Sequence, residues 1–252
     1  MASEISKTQI DPLGERLKKG NITEADLRLL DSYRRSFTEA YEIVVGRIRK
    51  ELELEPTGRP AKSTTSISDK LRRESIRLTQ IQDIAGCRLI VADIANQETV
   101  VDSLKNLFEQ TTIVDRREQP SHGYRAVHVI ARCNDKMIEI QVRTALQQLW
   151  AELSEKYSDV IDPAIKYGGG GESIQISLRE MSDHVAKCEL LEIEVAHLLE
   201  EIITEGLPDA VKQSALEAQQ STNIARQAAL NYLRYAIEHP EEVKGEKDAL
   251  SD

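Results

Sequence analysis

The sequence predicts an α/β domain built on a mixed β-sheet, with an N-terminal helical segment and a C-terminal helical extension. Three observations carry this. Apolar residues recur at helical spacing from Leu27 to Leu52. Between positions 83 and 144, strand-like stretches alternate with a helical one and end in a hairpin signal. After Gly171, spacings of three and four return and persist for a long run. The expected organisation is therefore residues 1–55, 56–171 and 172–252.

Taken in order, Thr23 opens a Thr-x-x-Asp pattern that suits a helix cap. Leu27, Leu30, Tyr33, Phe37, Tyr41, Val44, Ile48 and Leu52 then share one helical face. One helix is expected there, ended by Pro56-Thr57-Gly58-Arg59-Pro60. A short basic helix is expected over Ser66–Arg73, and a buried strand over Cys87–Ala92. The stretch 96–108 reads as a helix with Val100, Val101, Leu104 and Phe108 inward. Strands are expected at Thr111–Asp115, Arg125–Ala131 and Lys136–Arg143, the last two joined by a turn at Asn134-Asp135. A helix then runs from Thr144 to about Tyr157.

Gly168-Gly169-Gly170-Gly171 lacks the lysine, serine and preceding strand of a phosphate loop, so a flexible linker is expected. Ile174, Leu178, Met181, Val185, Cys188, Leu191, Val195, Leu198 and Ile202 form a heptad-like seam suited to core packing or self-association. Leu207-Pro208 breaks it, and a last helix spans 210–238. The charged tail from Glu241 is expected to fray.

A net charge of −10 argues against a protein that coats nucleic acid non-specifically. Cys87, Cys133 and Cys188 are odd in number and widely spaced, which disfavours a disulfide framework or a zinc site. The first seven residues hold no apolar signal core, and no apolar run reaches membrane-spanning length. A soluble cytoplasmic protein is expected.

The chemistry-bearing residues cluster. From Arg59 to Arg88, seven basic residues (Arg59, Lys62, Lys70, Arg72, Arg73, Arg77 and Arg88) face only Asp69, Glu74 and Asp83, a local charge of +4. A charge run is usually a solvated face, but this one opposes the sign of the whole chain and suits a polyphosphate. In Glu139-Ile140-Gln141-Val142-Arg143, alternation puts Glu139, Gln141 and Arg143 on one side of a strand and Ile138, Ile140 and Val142 on the other. Mg²⁺ commonly takes one or two carboxylates plus phosphate oxygens, and Asp83 and Glu139 could supply them. A strand cap and a solvated face are the bland alternatives for these two acids. In Gly123-Tyr124-Arg125-Ala126-Val127-His128, glycine permits close approach and the tyrosine ring offers a platform for a base. Tyr124, Ala126 and His128 are expected on one strand face; core or rim is the alternative for each.

Asp83-Ile84-Ala85-Gly86-Cys87-Arg88, Gly123-Tyr124-Arg125-Ala126-Val127-His128, Glu139-Ile140-Gln141-Val142-Arg143-Thr144 and Trp150-Ala151, after a basic helix, resemble the synthetase domain of the RelA/SpoT alarmone pyrophosphokinases. The resemblance covers roughly 59–171 and implies a nucleotidyltransferase-like mixed sheet flanked by helices. It implies transfer of the β,γ-pyrophosphate of ATP to the 3′-hydroxyl of GDP or GTP, giving (p)ppGpp and AMP. The sequence holds no His-Asp metal motif, so no hydrolase activity is expected. By that resemblance Arg59 and Arg88 sandwich the adenine, and Lys62, Lys70 and Arg73 hold the ATP phosphates. Asp83 and Glu139 hold Mg²⁺, and Glu139 helps activate the acceptor hydroxyl. Tyr124 stacks on the acceptor base, with His128, Gln141 and Arg143 near acceptor or phosphates.

The chain departs from the family pattern at Ala126, at Ser154-Glu155, in the absence of lysine from Gln119-Pro120-Ser121-His122, and in the Arg59–Lys62 spacing. Most of these changes bear on the acceptor. A toxic branch that pyrophosphorylates the tRNA 3′ end, with an antitoxin partner, is therefore the alternative. A non-catalytic nucleotide-binding interaction module, associating through its C-terminal helices, is a second alternative.

Overall fold

The computed structural model describes residues 6–241. The expected fraying tail beyond Glu241 and most of the N-terminal stretch without a signal core lie outside the described residues. The chain divides into two compact units. The first holds the described residues up to Leu89, with Val100–Val114 and His128–Val142; the second holds Ile90–Thr99, Asp115–Val127 and the described residues from Arg143.

The first unit opens with α1 (Lys7–Lys19), which the sequence reading did not anticipate. Pro12 removes a backbone donor within it. Burial of Ile10, Leu13 and Leu17 outweighs that cost. Gly14 permits the packing, since a Cβ there would lie 2.8 Å from that of Leu78.

The single helix expected after Thr23 is two, α2 (Glu24–Arg35) and α3 (Thr38–Leu52). Thr23 does cap α2, accepting from the Asp26 amide while the Asp26 carboxylate returns to the Thr23 amide. The break falls at Ser36, whose hydroxyl donates to the Tyr33 carbonyl at 2.6 Å. Such back-bonding bends helices. Leu27, assigned to the shared face, is exposed, whereas Leu30, Tyr33, Phe37, Val44 and Ile48 are buried.

Five strands form one mixed sheet, in the order β1-β2-β5-β4-β3, accompanied by helices as expected for the class. They are β1 (Thr57–Arg59), β2 (Ala85–Val91), β3 (Thr111–Asp115), β4 (Val127–Cys133) and β5 (Lys136–Thr144). The short basic helix is α4 (Thr64–Arg73), capped by Ser63. The expected helix near residues 96–108 is α5 (Ile94–Leu107). Asn134 and Asp135 both have positive φ, 45° and 59°, as a two-residue hairpin turn demands. Alternation along β5 holds, with Ile138, Ile140 and Val142 wholly buried.

In the second unit, α6 (Ala145–Val160), α7 (Glu172–Thr204) and α8 (Asp209–Glu238) share a core of Leu146, Trp150, Leu153, Leu178, Val185 and Leu233, among others. Only the first part of the α7 seam lies in it; Leu191 and Leu198 are exposed. The four-glycine stretch is not an open linker but a close-packed turn. Gly168 and Gly170 sit at φ 82°, and a Cβ on Gly168 would lie 2.2 Å from the His122 ring. The Gln175 amide caps the turn, donating to the carbonyls of Ile165 and Gly169.

No described helix is long and apolar enough to cross a membrane. All three cysteines are free, and burial pushes the Cys87 thiol up to about 12, so it is inert.

Candidate active site

Two groups of the expected site residues come together, one within each unit. In the first unit, β1 and β2 are antiparallel, with Thr57 opposite Arg88 and Arg59 opposite Gly86. Directly opposed residues share a face, so Arg59 and Arg88 project from the same side of this strand pair as diagonal neighbours. Arg59 is exposed and Arg88 half-buried.

Asp83 lies in the turn that leads into β2. The ammonium groups of Lys62 and Lys70 hold its two carboxylate oxygens, Lys70 at 2.9 Å. Lys62 is itself fixed by its backbone, which donates to the Ile84 carbonyl at 2.6 Å and accepts from Arg34 Nε at 2.7 Å. Burial by itself would push the Asp83 carboxyl up, but the two ammonium groups override it and hold the group below its usual range. Arg73 lies exposed at the C-terminal end of α4.

Glu139 projects from β5. His128, on the adjacent β4, puts Nδ1 3.1 Å from Glu139 Oε1, and Gln141 Nε2 donates to Glu139 Oε2 at 2.8 Å. Burial again pushes the carboxyl up. The His128 contact, aided by Gln141, outweighs it and leaves Glu139 below its usual range, while the nearby Asp83 charge pulls the other way.

Gly86 faces Glu139. A Cβ on Gly86 would lie 2.8 Å from the Glu139 carbonyl oxygen, so glycine sets how closely β2 and β5 approach at the acid. Sequence reasoning gave Gly86 no role. Its place in the Asp-x-x-Gly-x-Arg spacing was the available signal.

Among the described residues no group of three or more His, Cys, Asp or Glu side chains is built to hold a metal. Asp83 and Glu139 present two hard carboxylate groups, both favoured in the ionised form and close enough for the Asp83 charge to act on Glu139. That set fits Mg²⁺ completed by phosphate oxygens and water.

In the second unit, Arg143 is buried, donating from Nη1 to Gln148 Oε1 and from Nη2 to the Tyr124 hydroxyl, both at 2.9 Å. Its guanidinium carbon lies 4.9 Å from the Tyr124 ring centre. Gln148 in turn donates to Glu152 at 2.6 Å.

Tyr124 is not on a strand with His128, contrary to the expectation of a shared face. The strand β4 starts at Val127, and Tyr124 sits in a turn bridged to Ser121, after Gly123 at φ 90°. The close approach at Gly123 comes from Trp150 and Ser182; a Cβ there would lie 2.7 Å from the Trp150 ring. Trp150 is thus buried support for this turn, anchored by Nε1 to the Leu178 carbonyl at 2.8 Å.

Residues 58–158 match the model for the region found in RelA / SpoT proteins. The chain is 36% identical over 132 residues to an uncharacterized protein of Mycobacterium tuberculosis, covering 51% of this chain and 48% of that one. It is 29% identical over 135 residues to the guanosine-3′,5′-bis(diphosphate) 3′-pyrophosphohydrolase of Aquifex aeolicus, covering 50% of this chain and 18% of that one. It therefore spans about half, or less, of the length of these relatives. Among solved structures, the small alarmone synthetase 1 of Bacillus subtilis aligns with a TM-score of 0.51 and 26% identity, over 71% of this chain and all of that one. Its pppGpp-bound form aligns with a TM-score of 0.52 and 24% identity, over the same shares, a likeness of fold. Residues 58–158 of this chain thus carry the match to the region found in RelA / SpoT proteins, and the fold is similar to that of a small alarmone synthetase.

Proposed function

We propose that this chain is an ATP-dependent pyrophosphotransferase that moves the β,γ-pyrophosphate of ATP to the 3′-hydroxyl of GDP or GTP and releases AMP. The observation that carries the reading is the pairing of Asp83 and Glu139, each half-buried, favoured in the ionised form and matched by cationic or amide partners within the residues that match the RelA / SpoT region.

Asp83 and Glu139 would hold Mg²⁺, which supplies charge neutralisation on the triphosphate when bound. Lys62 and Lys70, paired with Asp83 in the free protein, turn to the phosphates when ATP enters, with Arg73 beside them. Arg59 and Arg88, on one side of the β1–β2 pair, enclose the adenine. Tyr124 stacks on the acceptor base, and Arg143 fixes its ring and hydroxyl. Glu139 takes the proton of the 3′-hydroxyl, oriented by His128 and Gln141. The new bond joins the 3′-oxygen to the β-phosphorus. The bond from the β-phosphorus to the oxygen of the α-phosphate breaks, and AMP leaves with its electron pair. Such a transfer depends chiefly on positioning and charge, which suits a site assembled from paired ions.

The test is incubation with γ-labelled ATP and Mg²⁺, separately with GDP, GTP, ATP and deacylated tRNA. Label in a guanosine product with stoichiometric AMP is the expected result. Label in tRNA alone moves the chain to the toxic alternative. ATP binding without AMP release in the presence of any acceptor leaves a nucleotide-binding module and ends the enzymatic reading.

A further inference from the structure

Beyond residue 158, where the family match ends, α7 carries four buried polar side chains, and three of them, Gln175, Ser182 and Glu189, follow one another at intervals of seven, with Ser177 the fourth. At this spacing those three form one stripe along the helix, offset from the apolar seam. Each grips a different piece of the second unit.

Ser182 Oγ donates to the Gly123 carbonyl at 2.6 Å and accepts from Arg125 Nε at 2.9 Å, so it holds the residues on both sides of Tyr124. Glu189 Oε1 accepts from the Thr144 hydroxyl, and both its carboxylate oxygens accept from Gln147 Nε2 at 3.1 Å. Thr144 caps α6 and directly follows Arg143; its hydroxyl accepts from the Gln147 amide at 3.1 Å. The network continues, with Gln97 Nε2 donating to Gln147 Oε1 at 2.9 Å and Arg117 Nη1 to Gln97 Oε1 at 3.2 Å. Gln97, Thr144, Gln147 and Glu189 are all buried.

A carboxylate is a costly choice for such a place. Burial pushes the Glu189 carboxyl up, against the pull of Thr144 and Gln147. A helix cap alone needs no such partner, because Thr144 already satisfies the Gln147 amide. What Glu189 adds is a fixed rotamer for Thr144 and Gln147, and so a fixed exit of β5 at Arg143. Ser182 does the same for the turn that presents Tyr124. The two anchors flank the Arg143–Tyr124 hydrogen bond from either end.

We infer that Glu189 and Ser182 are positioning residues that hold the Arg143–Tyr124 pair in register for the acceptor nucleoside. The C-terminal helix thereby sets acceptor affinity without touching the acceptor. This rests on the proposed function for its kinetic consequence, but not for its structural one.

The test uses the full chain and the variants Glu189→Ala, Glu189→Gln and Ser182→Ala. With ¹³Cζ-labelled tyrosine, the Tyr124 resonance is identified by its loss in Tyr124→Phe. It should shift in Glu189→Ala and Ser182→Ala towards its position in Arg143→Lys. Glu189→Gln, which keeps one acceptor for Thr144, should shift it less. In transfer assays the acceptor KM should rise about ten-fold in Glu189→Ala, as for a lost hydrogen-bond anchor, while the ATP KM stays within about two-fold.

An unmoved Tyr124 resonance in both alanine variants overturns the inference, whatever the kinetics. So does an equal rise of both KM values with a lowered Tm, which would mark general destabilisation. If the wild-type protein transfers pyrophosphate to no acceptor, the proposed function fails, and the resonance still decides the positioning role.

Discussion

His128 Nδ1 on β4 lies 3.1 Å from Glu139 Oε1 on the neighbouring β5, with both side chains about 14% exposed. A carboxyl so enclosed favours its neutral form. The imidazole, with the Gln141 amide on the other oxygen, reverses that preference and keeps Glu139 ionised. His128→Ala should therefore raise the Glu139 pKa. Since the proposed base, Glu139, works in its ionised form, the acid limb of the kcat/KM profile should move to higher pH. A pH series on the purified variant checks this; an acid limb that stays in place would separate His128 from the base.

Asp83→Asn and Glu139→Gln should each lower pyrophosphate transfer by on the order of 10²-fold or more, as expected for loss of an acid–base group or a charge on the metal. Circular dichroism should show both variants folded. Near-normal turnover by either would remove it from the site.

The depressed Asp83 pKa is also a statement about stability. A carboxyl whose folded value lies below its unfolded value, about 3.9, stabilises the fold above that value and loses the effect as pH falls through the folded one. In Asp83→Asn this contribution is gone at every pH, and Lys62 and Lys70 lose their shared partner. Urea unfolding should show a gap between wild type and variant that is full at neutral pH and narrows below about pH 4. A gap of constant size would deny the coupling.

Gly86→Ala should be costly although the change is a single methyl. Its Cβ would meet the Glu139 backbone oxygen at 2.8 Å, and a strand backbone cannot swing aside as a flexible side chain can. Overpacking of this kind costs about 1–3 kcal/mol. Activity should fall further than stability, because the displaced strand carries Glu139. Differential scanning calorimetry beside the transfer assay reads the two effects separately.

Tyr124→Ala should weaken use of the acceptor and spare ATP binding. Stacking of a base on an aromatic ring is worth about 1–3 kcal/mol. The acceptor KM should rise accordingly, while calorimetry finds ATP affinity unchanged. The reverse pattern would mean that the donor and acceptor roles had been exchanged.

The features readable from sequence were those with local causes. The alternation that buries Ile138, Ile140 and Val142 and leaves Glu139 and Gln141 on the other side is a property of an extended chain. Thr23 caps the helix that follows it because its hydroxyl reaches an amide three residues on. Asn134 and Asp135 turn the hairpin because both tolerate positive φ.

The features decided by tertiary structure depend on partners far away in sequence. Ile10, Leu13 and Leu17 carry α1 past Pro12 because burial outweighs a missing donor. The glycine run is a packed turn because His122, Ala164 and Ile165 close on it. Lys62 and Lys70 meet Asp83 only when the chain folds back across 21 and 13 residues. The stripe of Gln175, Ser182 and Glu189 was hidden within a pattern read for its apolar residues. Periodicity fixes which face of a helix a residue occupies, but the burial of a polar side chain is decided by the hydrogen-bonding groups that other segments bring to it.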